Sequence, residues 1–112
     1  MFIELIWFIW YNVYIEGDSM DIEVENNKYK LIKDYREAFD KDLFLEKYTS
    51  YFENYDYIVG DIAYSKLRLK GFTKKTNKIN NKINDYDNVE KYIKNNCAYD
   101  CRYFILEKIS AK

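Results

Sequence analysis

The sequence predicts a single α+β domain, an antiparallel or mixed sheet of about five strands with two helices. Three observations lead there. Five short runs, residues 21–25, 28–33, 56–61, 64–70 and 102–109, alternate apolar with polar residues or carry strand-forming side chains throughout. Two intervening stretches change to a spacing of three and four, the period of an amphipathic helix. The chain has 112 residues, 48% of them hydrophobic, enough for one self-sufficient core.

Residues 1–15 are almost wholly apolar, interrupted only by Glu4 and Asn12. As a helix they would span ~22 Å, short of the ~30 Å hydrocarbon core of a bilayer. No Lys or Arg precedes Lys28, so the basic flank of a signal peptide and the positive-inside signal are both missing. Stable membrane insertion is therefore not expected. Trp7 to Tyr11 and Val13 to Ile15 favour a strand by propensity. Met20 offers a second start, so residues 1–19 read as an apolar N-terminal extension, either a mis-assigned start, an extra packed strand or a surface segment. Residues 20–112 read as the domain, after a Gly17-Asp18-Ser19 linker.

Within the domain, Ile22 and Val24 share one face of a first strand, and Tyr29 and Leu31 one face of a second. Asn26-Asn27 is the expected turn between them. Residues 34–54 predict a helix with Phe39, Leu43, Phe44, Tyr48, Tyr51 and Phe52 inward, capped by Asp40 or Asp42 and stopped at Asn54. Residues 56–61 predict a strand with Tyr57 and Val59 opposite Ile58, and 60–63 the tight connection after it. In residues 64–70, Leu67 and Leu69 should face the core. Tyr64, Lys66, Arg68 and Lys70 should face solvent. Residues 73–84 are polar, basic and Asn-rich, and predict a mobile loop. Asp85 or Asp87 then caps a short helix over 86–96 with Val89, Tyr92 and Ile93 inward. The last strand is apolar on both faces, Phe104 and Leu106 against Tyr103 and Ile105, which predicts a central position.

What the composition lacks excludes much chemistry. There is no His, which removes Ser-His-Asp triads, Cys-His pairs and imidazole metal sites. Three glycines build no glycine-rich phosphate loop. Two cysteines supply too few ligands for a zinc site, so no metal and no cofactor is expected. Asp56 and Asp61, with Lys66, Arg68 and Lys70, are the residue types of a metal-dependent phosphodiesterase, whose carboxylates converge on one or two metal ions. Five residues apart on an alternating strand, however, the two carboxylates fall on opposite faces, and Asp61 reads better as a turn residue. Cys97 and Cys101 are spaced C-x3-C rather than C-x-x-C. They read as two reduced, half-buried thiols, with a redox or regulatory pair as the sharper alternative.

The charge layout is more informative. Net charge is −1, but residues 62–84 carry seven basic residues and no acid, leaving 11 basic against 19 acidic residues elsewhere. Tyr64, Lys66, Arg68, Lys70, Lys74 and Lys75 are the candidate anion- or nucleic-acid-binding residues. Three cations on alternate positions stand about 6–7 Å apart, near the phosphate spacing of an extended single strand, with Tyr64 placed to stack on a base. An acidic protein surface would satisfy the same stripe, as would an acidic patch of the chain itself. The sequence pI near 5.5 weighs against a dedicated nucleic-acid binder.

The run Tyr55-Asp56-Tyr57-Ile58-Val59-Gly60-Asp61, followed by Leu67-Arg68-Leu69-Lys70-Gly71-Phe72, resembles the signature of the YutD-like family of small bacterial proteins of unknown function. The resemblance continues through Cys97 and Cys101-Arg102-Tyr103-Phe104 and covers residues 23–108, without reaching residues 1–19. It implies a compact α+β domain in the cytoplasm and no particular activity. The expectation is thus a non-enzymatic cytoplasmic binding module for an anionic partner, RNA first. The alternatives are a protein-interaction module or a thiol-based regulator.

Overall fold

A computed structural model describes residues 21–96 and 101–111. The expectations for residues 1–19 and for Cys97 fall outside the described residues. Five strands, β1 (Asp21–Val24), β2 (Asn27–Tyr35), β3 (Tyr57–Ala63), β4 (Lys66–Phe72) and β5 (Arg102–Ala111), form one sheet in the order β1-β2-β5-β3-β4. Every neighbouring pair is antiparallel. β5 is central, as its two apolar faces predict. Two helices complete the fold, α1 (Lys41–Lys47) and α2 (Val89–Asn96), each next to a short 3-10 segment, Ser50–Asn54 and Tyr86–Asn88 respectively.

Alternation along the strands sends side chains to two cores. Ile22, Tyr29, Ile58, Leu67, Phe104 and Leu106 meet Phe44, Tyr48 and Phe52 on one face. Val59, Phe72 and Ile105 meet Val89, with Tyr57, Tyr86, Tyr92, Ile93 and Tyr103 around them, on the other. Each fully buried large side chain contributes about 2 kcal/mol by leaving water. The first core also holds polar groups. The Tyr29 and Tyr48 hydroxyls lie 3.1 Å apart, and Asn27 Nδ2 donates to the Tyr48 oxygen at 3.4 Å. Burial pushes the Tyr29 phenol far above its ordinary value, so it stays protonated and able to donate.

Four local expectations are corrected. The first turn is Glu25-Asn26, both with positive φ (49° and 71°), and Asn27 already belongs to β2. The single helix over 34–54 is divided. β2 runs on to Tyr35, α1 begins after Asp40, and Tyr48 turns extended at φ −68°, ψ 139°. Asp40 does cap α1, accepting from Leu43 N at 3.1 Å, and Thr49 caps the 3-10 turn. The β3–β4 turn is Tyr64-Ser65, at φ 54° and 65°, not residues 60–63. Gly60 lies inside β3, where a Cβ would stand 2.2 Å from the Phe104 ring; it is glycine because that ring fills the space.

The fourth correction concerns residues 73–84, which are not a free arm. Asn side chains bind the loop to itself and to its ends. Asn84 Oδ1 accepts from Thr73 Oγ1 and Asn81 N, both at 2.8 Å, and Asn84 Nδ2 donates to Ile79 O at 3.1 Å. Asp56 Oδ2 accepts from Lys74 N at 2.8 Å and from Asn77 Nδ2 at 3.0 Å. Asn and Asp do here what they do in turns generally: they supply side-chain partners where the backbone cannot pair regularly.

Candidate functional site

β4 and the segments at its two ends hold all six predicted anion-binding residues, but the structure treats them unequally. Tyr64 is 90% exposed at the turn, off the strand. Lys66 is exposed on the strand face turned toward α2. Arg68 is already engaged. Its Nη2 and Nε donate to Asp61 Oδ1 at 2.7 and 2.9 Å, and Nη2 also donates to Asn96 O at the end of α2 at 3.0 Å. The hydrogen bonds that Arg68 donates to Asp61, first, and the Asp61 charge raise the Arg68 pKa. Asp61 is therefore no turn residue. It is a buried carboxylate in mid-strand, directly opposite Arg68.

Lys70 is half-buried, its Nζ 5.2 Å from the Phe72 ring centroid and 5.7 Å from that of Tyr92. Lys75 is paired with Asp85 and with Asp87, the latter at 3.4 Å. Hydrogen bonds to those two carboxylates raise its pKa, and the Lys75 bond lowers that of Asp85. The side chain of Lys74 is exposed. Lys66, Arg68 and Lys70 thus share one strand face as predicted, yet two of the three are fastened to the protein. Leu67 is buried and Leu69 packs at the rim of the first core, as their spacing requires. Cys101 is buried at the entry to β5 and disulfide-bonded, which corrects the expectation of a reduced thiol there.

Sequence reasoning missed what lies along the outer side of β4. Ala63 and Lys66 close a two-residue turn, so Lys66, Arg68, Lys70 and Phe72 direct their backbone groups to β3. Leu67, Leu69 and Gly71 then direct theirs outward. Thr73, next in that series, confirms the phase: its N–H donates outward to Asn84 O at 2.7 Å, and its carbonyl accepts from Tyr86 N at 2.9 Å. Among the described residues no strand pairs with β4 on that side.

Beside this edge runs an open groove of about 270 Å³, lined by Tyr51, Tyr55, Leu69, Gly71, Asn81 and Ile83 among others. Tyr51 and Tyr55 form one wall, their ring centroids 5.4 Å and their hydroxyls 3.1 Å apart; that hydrogen bond raises the Tyr55 pKa. Gly71 is required where the Tyr55 ring lies, since a Cβ would come within 2.4 Å of it. Ile83, 75% exposed, stands at the opposite wall. The sequence signal for it was a pair of apolar residues, Ile79 and Ile83, in an otherwise polar loop.

No group of three or more His, Cys, Asp or Glu among the described residues is arranged to hold a metal ion. No described helix is long and apolar enough to cross a membrane. A family model described as "Putative antitoxin YutD-like" matches residues 23–107. The chain is 33% identical over 88 residues to "Putative antitoxin YutD" of Bacillus subtilis, covering 79% of this chain and 97% of that one. The solution NMR structure of protein yutD from the same organism superposes with a TM-score of 0.68 at 32% identity, over 82% of this chain and 84% of the other. With the matched residues reaching all five strands and both helices, the chain belongs to the YutD-like family.

Proposed function

We propose that this chain is a non-enzymatic binding module, acting in the cytoplasm, whose partner is a protein with an acidic surface. The observation that carries this reading is the internal use of the predicted cationic track. Arg68 is taken by Asp61 and the α2 terminus, Lys75 by Asp85 and Asp87, and Lys70 rests over two rings. A phosphate backbone therefore finds no regular row of available cations, and RNA becomes the weaker candidate. The lysines that remain, Lys66, Lys74, Lys78 and Lys82, are exposed around an open strand edge and suit a folded acidic partner. The relative's printed name, "Putative antitoxin YutD", hints at a protein partner as well.

The test is affinity capture from a cell lysate with and without RNase, at low and raised salt. The expected outcome is a stoichiometric protein that survives RNase and leaves as salt rises. Retention of RNA alone, with no protein left after RNase, overturns the reading.

A further inference from the structure

We propose that the outer edge of β4 is a docking site for an extended acidic segment of the protein partner, which adds to the sheet as a sixth strand. This rests on the protein-binding reading above and specifies how the partner is held. An unpaired strand edge is a template for another chain, and proteins usually blunt it with proline, a bulge, charged side chains or a cover. Among the described residues β4 carries only charge, Lys66 and Lys70, which repels a like-charged edge and attracts one that bears carboxylates. Its pairing with β3 runs without a register shift over seven residues, and the sequence contains no proline. Among the described residues only the last outward position, Thr73, is covered, by Asn84 and Tyr86.

The groove supplies the second half of such a site. An added strand would place alternate side chains on either side of the sheet plane, about 6–7 Å apart. On the side of the first core, those side chains meet Tyr51 and Tyr55. Tyr51 is 65% exposed and Ile83 75% exposed, large apolar surfaces left beside an open ladder. On the other side they meet the face that carries Lys66 and Lys70. None of Lys66, Lys74, Lys78 and Lys82 has a carboxylate partner within ion-pair distance among the described residues.

Charge also selects among occupants. A second copy joined edge to edge through β4 would set lysine against lysine, and like charges across a strand pair are destabilising. Carboxylates at the same positions are attracted. A nucleic acid fits less well for a different reason. The edge offers N–H and C=O groups at Leu67, Leu69 and Gly71, and a phosphate backbone, which only accepts, leaves the carbonyls without donors. A peptide strand matches both.

The experiment uses the full chain and a phage-displayed library of random decapeptides. Enriched peptides should carry Asp or Glu at alternate positions. Their binding should shift the amide resonances of Leu67, Leu69 and Gly71 and slow hydrogen exchange there. Leu69→Pro, which deletes an outward donor without touching the β3 ladder, should abolish binding. Should that variant misfold, Lys66→Glu combined with Lys74→Glu, both at exposed positions, should weaken the acidic peptides about tenfold and admit basic ones. No enrichment, or affinity unchanged by the charge reversal, overturns the proposal. Peptides that bind but perturb another face overturn the edge while leaving the protein-binding reading in place. Concentration-dependent protection of the same three amides without peptide identifies a second copy as the occupant instead.

Discussion

The Arg68 guanidinium and the Asp61 carboxylate are unequally exposed: the Arg68 side chain is 52% accessible and that of Asp61 only 4%. The consequences of removing them should differ accordingly. Arg68→Ala strands a buried carboxylate and leaves the Asn96 carbonyl without this donor, and should cost about 2–3 kcal/mol. Asp61→Asn leaves the guanidinium free to reach water and should cost about 1 kcal/mol. Urea melts at neutral pH compare the two; equal costs, or the reverse order, would refute the asymmetry. The same geometry separates three cations that the sequence places alike on one strand face. Lys66 is a surface charge, whereas Arg68 ties β3, β4 and α2 together.

At the scale of elements, the loop after β4 is held at its far end by Lys75 and Asp85, next to the 3-10 turn that leads into α2. Asp85 has its pKa lowered from 3.8, first by the Lys75 hydrogen bond and then by the N–H of Asp87. A lowered acid contributes stability that is present above its unfolded value and lost as pH falls through the folded one. Lys75, raised from 10.5 by Asp85 and then Asp87, contributes stability that is present below 10.5 and lost above it. The stability gap between the wild type and Lys75→Gln should therefore be full between these values and close below pH 3.8. Thermal melts from pH 2 to 7 follow it. A gap unchanged at pH 2 would show that Lys75 acts through packing rather than charge.

For the whole molecule, the alternating strand pattern begins at Asp21 and the family match at residue 23. A shortened chain starting at Met20 should therefore fold and melt within ~8 °C of the full chain, the shift equivalent to about 1 kcal/mol for a domain of this size. A larger drop would place residues 1–15 in the core. The disposition of the two cores also bears on binding. Helices cover part of each sheet face, and β4 is left as an edge whose outward groups meet no strand among the described residues.

Alternation by itself determined which residues go inside. Leu67 against Lys66, Ile58 against Val59, and Phe104 against Ile105 follow from a period of two wherever a strand lies, because neighbouring side chains must point to opposite faces. It also determined the central place of β5 and the inward face of α2. Boundaries were less legible. Glu25-Asn26 and Tyr64-Ser65 adopt left-handed turns that glycine would have announced, and the helical spacing of Phe39, Phe44 and Phe52 persists across an extended break at Tyr48-Thr49. Only tertiary structure decided the fate of the charges. Asp61 and Arg68 are seven residues apart and become opposed through the register of a hairpin. Lys75 meets Asp85 through a loop closed by asparagines, and Tyr51 and Ile83 reach one groove from segments 32 positions apart. Local periodicity carries the sign of each side chain's burial. Pairing between distant charges, and the strand edge left open, depend on how the elements meet.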